Sequence, residues 1–235
     1  MTPQQLPFTL PARTSYDPAA FLEAACNRNA LTWLRQTDQW HAIATCLYGP
    51  PQCGKTHLVH VWSRRVGGAY GFDSATLPDI NTEDIARDFP YVAIDDASKV
   101  AGHPRRERAL FHLYNSLKTV DGRLLLADVD PPSRWGVGLP DLLSRLNTAY
   151  TIRLDEPDDA LLAAVLNKLF ADRQLSVKRE VIAYIVPRMT RTFAAAQAVV
   201  DGMDRAMLAS KTAPTKAIAR DVLRAVEALG WDEAP

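Results

Sequence analysis

Gly49-Pro50-Pro51-Gln52-Cys53-Gly54-Lys55-Thr56 is a complete G-x-x-x-x-G-K-[ST] loop, and no other stretch limits the fold of this chain as strongly. The apolar lead-in Ile43-Ala44-Thr45-Cys46-Leu47 predicts a short buried strand, and the run from Lys55 to Arg65 predicts a helix. A tight turn that aims backbone N–H groups at one point, followed by a helix N-terminus, is an anion site suited to a diphosphate. Lys55 adds a point charge at the β- and γ-phosphates, and Thr56 a hydroxyl ligand for Mg²⁺. The plainer reading is a glycine turn between strand and helix with no ligand.

Strands and helices alternate on either side of the loop. Residues 18–37 read as a helical stretch interrupted near Asn27-Arg28-Asn29, and 69–73 as a second short strand. Asn81 to Asp88 reads as a small helix that begins near Thr82-Glu83-Asp84, with acids in its first turn. Tyr91-Val92-Ala93-Ile94-Asp95-Asp96 is an apolar strand that ends in two carboxylates. Downstream of a phosphate loop this is the Walker B pattern: Asp95 reaches the Mg²⁺ through water, and Asp96 polarises an attacking water. A strand-end turn is the alternative. Pro104 to Thr119 reads as a helix with a core face of Leu110, Phe111, Leu113, Tyr114 and Leu117. Arg105, Arg106 and Arg108 at its start read as a solvated face or a contact for a partner or phosphate. A buried strand at 123–127, a short helix at 139–147 and a last strand at 149–154 complete the run.

This order predicts an α/β fold on a parallel sheet, with ligands at the carboxyl ends of its strands. From Pro157 the pattern changes to helices near 158–172, 178–187, 192–210 and 215–229. The expected organisation is an arm at 1–14, a nucleotide-binding α/β domain at 15–155 and a small all-helical domain at 156–235.

Composition narrows the function class. Lys and Arg number 27 and Asp and Glu number 27, a balance that argues against a protein whose main task is coating nucleic acid. No apolar run approaches a membrane span, and the N-terminus has no basic and apolar signal pattern, so a cytoplasmic protein is expected. Cys26, Cys46 and Cys53 are an odd, scattered set that suits reduced thiols better than disulfides or zinc. His57 and His60 stand three apart on the post-loop helix, with no carboxylate or Cys at ligand spacing.

Pro3, Pro7 and Pro11 keep the first 14 residues from being helical. Leu6, Phe8 and Leu10 nonetheless alternate after Gln4-Gln5. Such a segment either packs its apolar residues on its own domain or docks elsewhere as a short linear peptide.

An α/β phosphate-loop domain followed by a four-helix lid resembles the AAA+ ATPases. The finer resemblance is to DnaA, the bacterial replication initiator, and finer still to the Hda family of short DnaA homologues. It rests on Gly49 to His57 with Leu58, on Ile94-Asp95-Asp96, and on Leu110-Phe111-His112-Leu113-Tyr114-Asn115. Leu124-Leu125-Leu126 to Pro131-Pro132 and Gly138-Leu139-Pro140-Asp141-Leu142-Leu143-Ser144-Arg145-Leu146 complete it. The last segment looks like the family's box VII, whose helix presents an arginine finger. No helix-turn-helix segment follows the lid, and Gln5-Leu6-Pro7-Phe8-Thr9-Leu10 resembles the clamp-binding peptide that opens Hda proteins. Both features favour Hda over DnaA.

The resemblance implies a negative regulator of replication initiation. Its expected partners are DnaA and the sliding clamp, the β subunit of DNA polymerase III, with DNA met only through the clamp. Gln5, Leu6, Phe8 and Leu10 are the clamp-binding residues on this reading. Gly49, Pro50, Pro51, Gln52, Cys53, Gly54, Lys55, Thr56 and His57 hold adenine nucleotide, ADP or ATP, with Thr56 and Asp95 on Mg²⁺ and Asp96 as a catalytic carboxylate. Arg145 is the finger, acting in trans on ATP bound to DnaA; its alternative is a surface arginine or a salt bridge to Asp141. Arg134 and Arg153 are weaker candidates. An arrangement in trans also admits a homo-oligomer of this chain.

The sequence departs from the family at both sensors. Val129 stands in the slot of the polar sensor 1, beside Asp128, and Ala194 stands at the sensor 2 position, three residues after Arg191. Asp128 and Arg191 are therefore the sensor candidates. An intact loop with incomplete sensors implies a tightly held nucleotide, ADP by preference, with little or no hydrolysis in cis. The competing expectations are a stand-alone ATPase that remodels a partner, in the manner of helicase loaders, and a non-catalytic adaptor for DnaA.

Overall fold

A computed structural model describes residues 22–67, 70–79, 81–210 and 212–228. The expected arm, with Gln5, Leu6, Phe8 and Leu10, lies outside them. Five parallel strands form one sheet: β1 (Ala44–Tyr48), β2 (Tyr70–Asp73), β3 (Tyr91–Asp95), β4 (Arg123–Asp128) and β5 (Tyr150–Arg153). Their order is β2-β3-β4-β1-β5. Ala44 pairs with Leu124 and Tyr48 with Asp128, while Thr45 pairs with Tyr150 on the other side of β1. The phosphate-loop strand and the carboxylate strand thus flank β4, and their C-terminal ends share one edge of the sheet.

The three central strands are buried on both faces, the condition that makes parallel strands read as continuous apolar runs. On one face Cys46, Ile94, Leu124 and Leu126 meet Leu110, Leu113, Tyr114 and Leu117 of the helix Pro104–Thr119. On the other, Leu47, Ala93, Leu125 and Ala127 meet Leu31 and Leu34 of the helix Arg28–Arg35 and Leu58 and Trp62 of the helix Lys55–Arg65. Each fully buried leucine of β4 contributes about 1.5–3 kcal/mol. In chain order these helices are α1 (Arg28–Arg35), α2 (Lys55–Arg65), α3 (Thr82–Asp88), α4 (Pro104–Thr119) and α5 (Pro140–Leu146).

The helical stretch expected over 18–37 is corrected within the described residues: α1 begins at Arg28, and 22–27 are not helical. Asn27 explains the late start. Its side chain accepts from Ala24 N–H and donates to Leu22 C=O, both at 2.9 Å, and so supplies the preceding turn with bonds a helix would otherwise make. The small helix α3 starts where its acids indicate, with Asn81 accepting from the N–H groups of Glu83 and Asp84.

After β5 come α6 (Asp159–Asp172), α7 (Arg179–Ile185), α8 (Phe193–Ser210) and α9 (Lys216–Ala228). They bury a core of their own, in which Leu162, Leu166 and Phe170 pack on Ile182, Ile185, Val199 and Met203. Gly202 lets α8 approach α9 closely, since a Cβ there would stand 2.6 Å from Val222 Cγ1. Among the described residues no helix is long and apolar enough to cross a membrane.

Candidate functional site

The loop between β1 and α2 is shaped by glycine at two places. A Cβ on Gly49 would lie 2.2 Å from the Leu154 carbonyl oxygen, so the chain leaving β5 passes directly over the first loop residue. Leu154 N–H donates to Tyr48 C=O at 2.7 Å and fixes that approach. Gly54 has φ of 101° and caps α2 without a side-chain bond to the helix N–H groups. Gln52 also has positive φ, at 60°. Left-handed residues of this kind turn successive N–H groups inward, and the uncapped helix end adds its own donors.

Lys55 is buried and its ammonium donates to Gly49 C=O at 2.9 Å and Pro50 C=O at 2.8 Å, which holds the loop closed around it. Its Nζ lies 3.8 Å from Cys53 Sγ. Burial pushes the Cys53 thiol up and Lys55 opposes that rise only in part, so the loop carries a protonated thiol at neutral pH. Burial raises the Cys46 thiol as well, with Asp128 adding to the effect. His57, in the first turn of α2, is pushed down by burial first and then by His60, Arg64 and Lys168, so it is a neutral imidazole near pH 7.

Thr56 Oγ1 donates to Asp95 Oδ2 at 2.5 Å, so the two Mg²⁺ ligands expected from sequence stand together. Asp96 follows in a left-handed conformation, φ 48°, that non-glycine residues adopt at a cost of order 1–3 kcal/mol. Its carboxylate is exposed and meets Lys99 Nζ at 2.7 Å. The groups present fit a nucleotide diphosphate with Mg²⁺: an uncapped helix N-terminus, a buried ammonium, and a hydroxyl–carboxylate pair. Gln52 Oε1, buried without a hydrogen-bond partner among the described residues, is a further polar atom in the same loop.

Asp128 ends β4 between these two strands and is 7% exposed. One carboxylate oxygen accepts from Ser98 N–H at 2.6 Å and the other from Val129 N–H at 2.7 Å. Both oxygens therefore brace the backbone on either side of the site. Arg191 pairs with Asp159 at 2.6 Å at the start of α6 and donates to Pro157 C=O. At the start of α8 the residue against the loop is Phe193: a Cβ on Gly54 would stand 2.9 Å from its Cε2.

The arginines separate clearly. Arg134 pairs with Asp130 at 3.4 Å and Arg153 with Asp155 at 3.1 Å. Arg145, half-buried in the last turn of α5, forms no ion pair with Asp141 or any other described residue.

Glu107 belongs to no sequence motif. It lies in the first turn of α4 among Arg105, Arg106 and Arg108, yet is 3% exposed. Oε1 accepts from Gly102 N–H at 2.9 Å and Gly138 N–H at 3.1 Å, and Oε2 from Leu139 N–H at 2.8 Å. Burial pushes its carboxyl up, but the three N–H donors, helped by His103, outweigh that and hold it below the usual range. A signal was present: 107, 110, 114 and 117 fall on one helical stripe, and the other three are apolar.

No protein-family model matches this sequence. Domain III of the Thermotoga maritima replication initiation protein DnaA superposes with a TM-score of 0.79 at 16% identity, covering 92% of this chain and 99% of that one. The fold is that of DnaA domain III. AMPPCP-bound DnaA from Aquifex aeolicus gives a TM-score of 0.68 at 18% identity, over 83% of this chain and 66% of that one. The Thermotoga maritima RuvB Holliday junction branch migration motor gives 0.63 at 15% identity, over 84% and 66%. This chain shares with DnaA domain III and RuvB the same fold of helices on a central parallel sheet. An uncharacterized protein of Haemophilus influenzae is 27% identical over 175 residues, which are 69% of this chain and 73% of that protein.

Proposed function

We propose that this chain is a DnaA-like AAA+ regulator of replication initiation. It holds an adenine nucleotide, by preference ADP, in the loop Gly49–Thr56, docks on the DNA-loaded sliding clamp through Gln5, Leu6, Phe8 and Leu10, and supplies Arg145 in trans to ATP bound on DnaA. Adenine nucleotide is argued from the phosphate loop and from the AMPPCP held by the Aquifex aeolicus DnaA of the same fold. When bound with Mg²⁺, the nucleotide supplies the phosphate charge that this loop is built to meet. Lys55 binds that charge, while Thr56 and Asp95 orient the metal.

The observation that carries the reading is the state of the arginines. Arg145 has no ion pair among the described residues, whereas its two competitors are each held by a neighbouring carboxylate. A free planar guanidinium on a short helix is what a trans finger needs. The preference for ADP follows from Phe193, an apolar ring set against Gly54, and from Arg191, engaged with Asp159. Neither presents a cation to a third phosphate in this arrangement. The domain assignment of 15–155 and 156–235 belongs to the same proposal, supported by the separate helical core.

The deciding experiment measures hydrolysis of DnaA-bound ATP with DNA-loaded clamp, comparing wild type with Arg145→Ala. Stimulation that disappears in the variant supports the reading. Normal stimulation by the variant removes the finger assignment, and no stimulation by wild type leaves an adaptor. Rapid ATP turnover by the isolated chain would favour a stand-alone remodelling ATPase.

A further inference from the structure

Glu107 ties the turn after the β3 carboxylates to the entrance of α5 by hydrogen bonds. Asp96 begins a short 3-10 turn at Ala97–Val100, and Gly102 lies just beyond it. Leu139 is the residue that caps α5, and no side chain of its own segment bonds the first helix N–H groups. The Glu107 carboxylate spans these two places by accepting from Gly102, Gly138 and Leu139. The turn is in turn held by Asp128 through Ser98 N–H, and Gly49 N–H lies 3.3 Å from Asp128 C=O. Hydrogen bonds and two short backbone links therefore run from the first loop residue to the helix that carries Arg145.

We propose that Glu107 is the positioning residue for Arg145: by clamping Gly138 and Leu139 to the turn after Asp96, it fixes the pose of α5 relative to the phosphate-loop edge of the sheet. Its role in catalysis rests on the finger reading above, whereas its hold on α5 does not. Three charge-assisted bonds to one buried carboxylate over-determine its place, and carboxylate acceptors are roughly twice as strong as neutral ones. Glu107→Gln keeps the shape but turns an amide N–H₂ toward N–H donors, so at least one of the three bonds is lost without leaving a cavity. Glu107→Asp keeps the charge and loses the reach.

The test uses the full chain in two arms. In hydrogen exchange, the segment 136–146 of Glu107→Gln should exchange about tenfold faster than wild type, while β1 and β4 keep their protection. Unchanged exchange over 136–146 would overturn the proposal, whatever DnaA does. In the DnaA-bound ATP assay, Glu107→Gln should lose about tenfold or more of the stimulation with ADP binding unchanged, and adding it to Arg145→Ala should cost nothing further. An additive loss in the double variant, or a loss matched by weaker ADP binding, would assign Glu107 a general structural role instead. If wild type gives no stimulation, the finger reading fails, and hydrogen exchange alone decides whether Glu107 holds α5. Should Glu107→Gln fail to fold, Glu107→Asp carries both arms.

Discussion

Thr56 Oγ1 donates to Asp95 Oδ2 at 2.5 Å, which joins the first turn of α2 to the end of β3 across the intervening strand β4. The hydroxyl is thereby aimed at the carboxylate edge. Lys55→Ala should weaken ADP binding by about 100-fold, the scale of a lost charge-assisted contact to phosphate. Asp95→Asn should weaken binding only when Mg²⁺ is present. Calorimetric titration with and without Mg²⁺ checks both, and equal losses in the two conditions would exclude Asp95 from the metal.

Arg145→Ala should reduce stimulated hydrolysis of DnaA-bound ATP by about 10³–10⁵-fold, the range of a removed arginine finger. Arg134→Ala and Arg153→Ala break only exposed ion pairs and should stay close to wild type. The same rate assay ranks the three. A ranking led by Arg134 or Arg153 would move the finger away from α5.

The arm is open to a direct binding experiment. Leu6→Ala combined with Phe8→Ala should remove retention on immobilised clamp while leaving ADP affinity unchanged. A single such peptide binds weakly, and avidity on a loaded clamp multiplies its effect. Retention equal to wild type ends the clamp assignment.

Acid sensitivity follows from Glu107, whose folded carboxyl titrates below the ordinary value near 4.5. The unfolded chain then binds the proton more tightly than the folded one. The stabilisation from this group is fully present above the ordinary value and is lost as pH falls through the folded value. Thermal unfolding of wild type should therefore lose midpoint temperature below about pH 4.5 more steeply than Glu107→Gln. Parallel curves would show that the three N–H bonds do not favour the charged form.

Close backbone approaches give two stability predictions. Gly49→Ala places a Cβ 2.2 Å from Leu154 C=O, where backbone must move, and should cost about 2–4 kcal/mol in chemical denaturation. Gly202→Ala meets a Val222 methyl at 2.6 Å and should cost about 1–3 kcal/mol. An unchanged denaturation midpoint for Gly49→Ala would mean that the chain after β5 does not press on the loop.

The phosphate loop, the carboxylate strand and the four late helices were legible because each depends on a local pattern: glycine and lysine spacing, an apolar run, a period of 3.6. Helix boundaries followed the caps, as at Asn81, and failed where a side chain competed with the backbone, as at Asn27. Long-range polar contacts were not legible. Asp128 could be named as a sensor candidate, but its bonds to Ser98 and Val129 depend on how the strands stack. Glu107 was hidden by the arginines beside it, and only its place on the apolar stripe of α4 hinted at burial. Phe193 against Gly54 joins residues 139 positions apart, a contact that no spacing rule could supply.

The tryptophans of the α1 and α2 face lie almost flat on one another: Trp33 on Trp40 at 6.1 Å between ring centroids, and Trp40 on Trp62 at 5.6 Å, with interplanar angles of 10° and 5°. Trp135 is packed instead with the core on the opposite side of the sheet. Among the described residues the tryptophans thus give an optical contrast between the two faces, read once Trp231, which lies outside them, is replaced by Phe. Excitation migrates within the stacked trio, so depolarised emission reports the face that carries the phosphate-loop helix, while Trp135 reports the α4 and α5 side. Unfolding that begins on one face would be told apart by fluorescence without any added label.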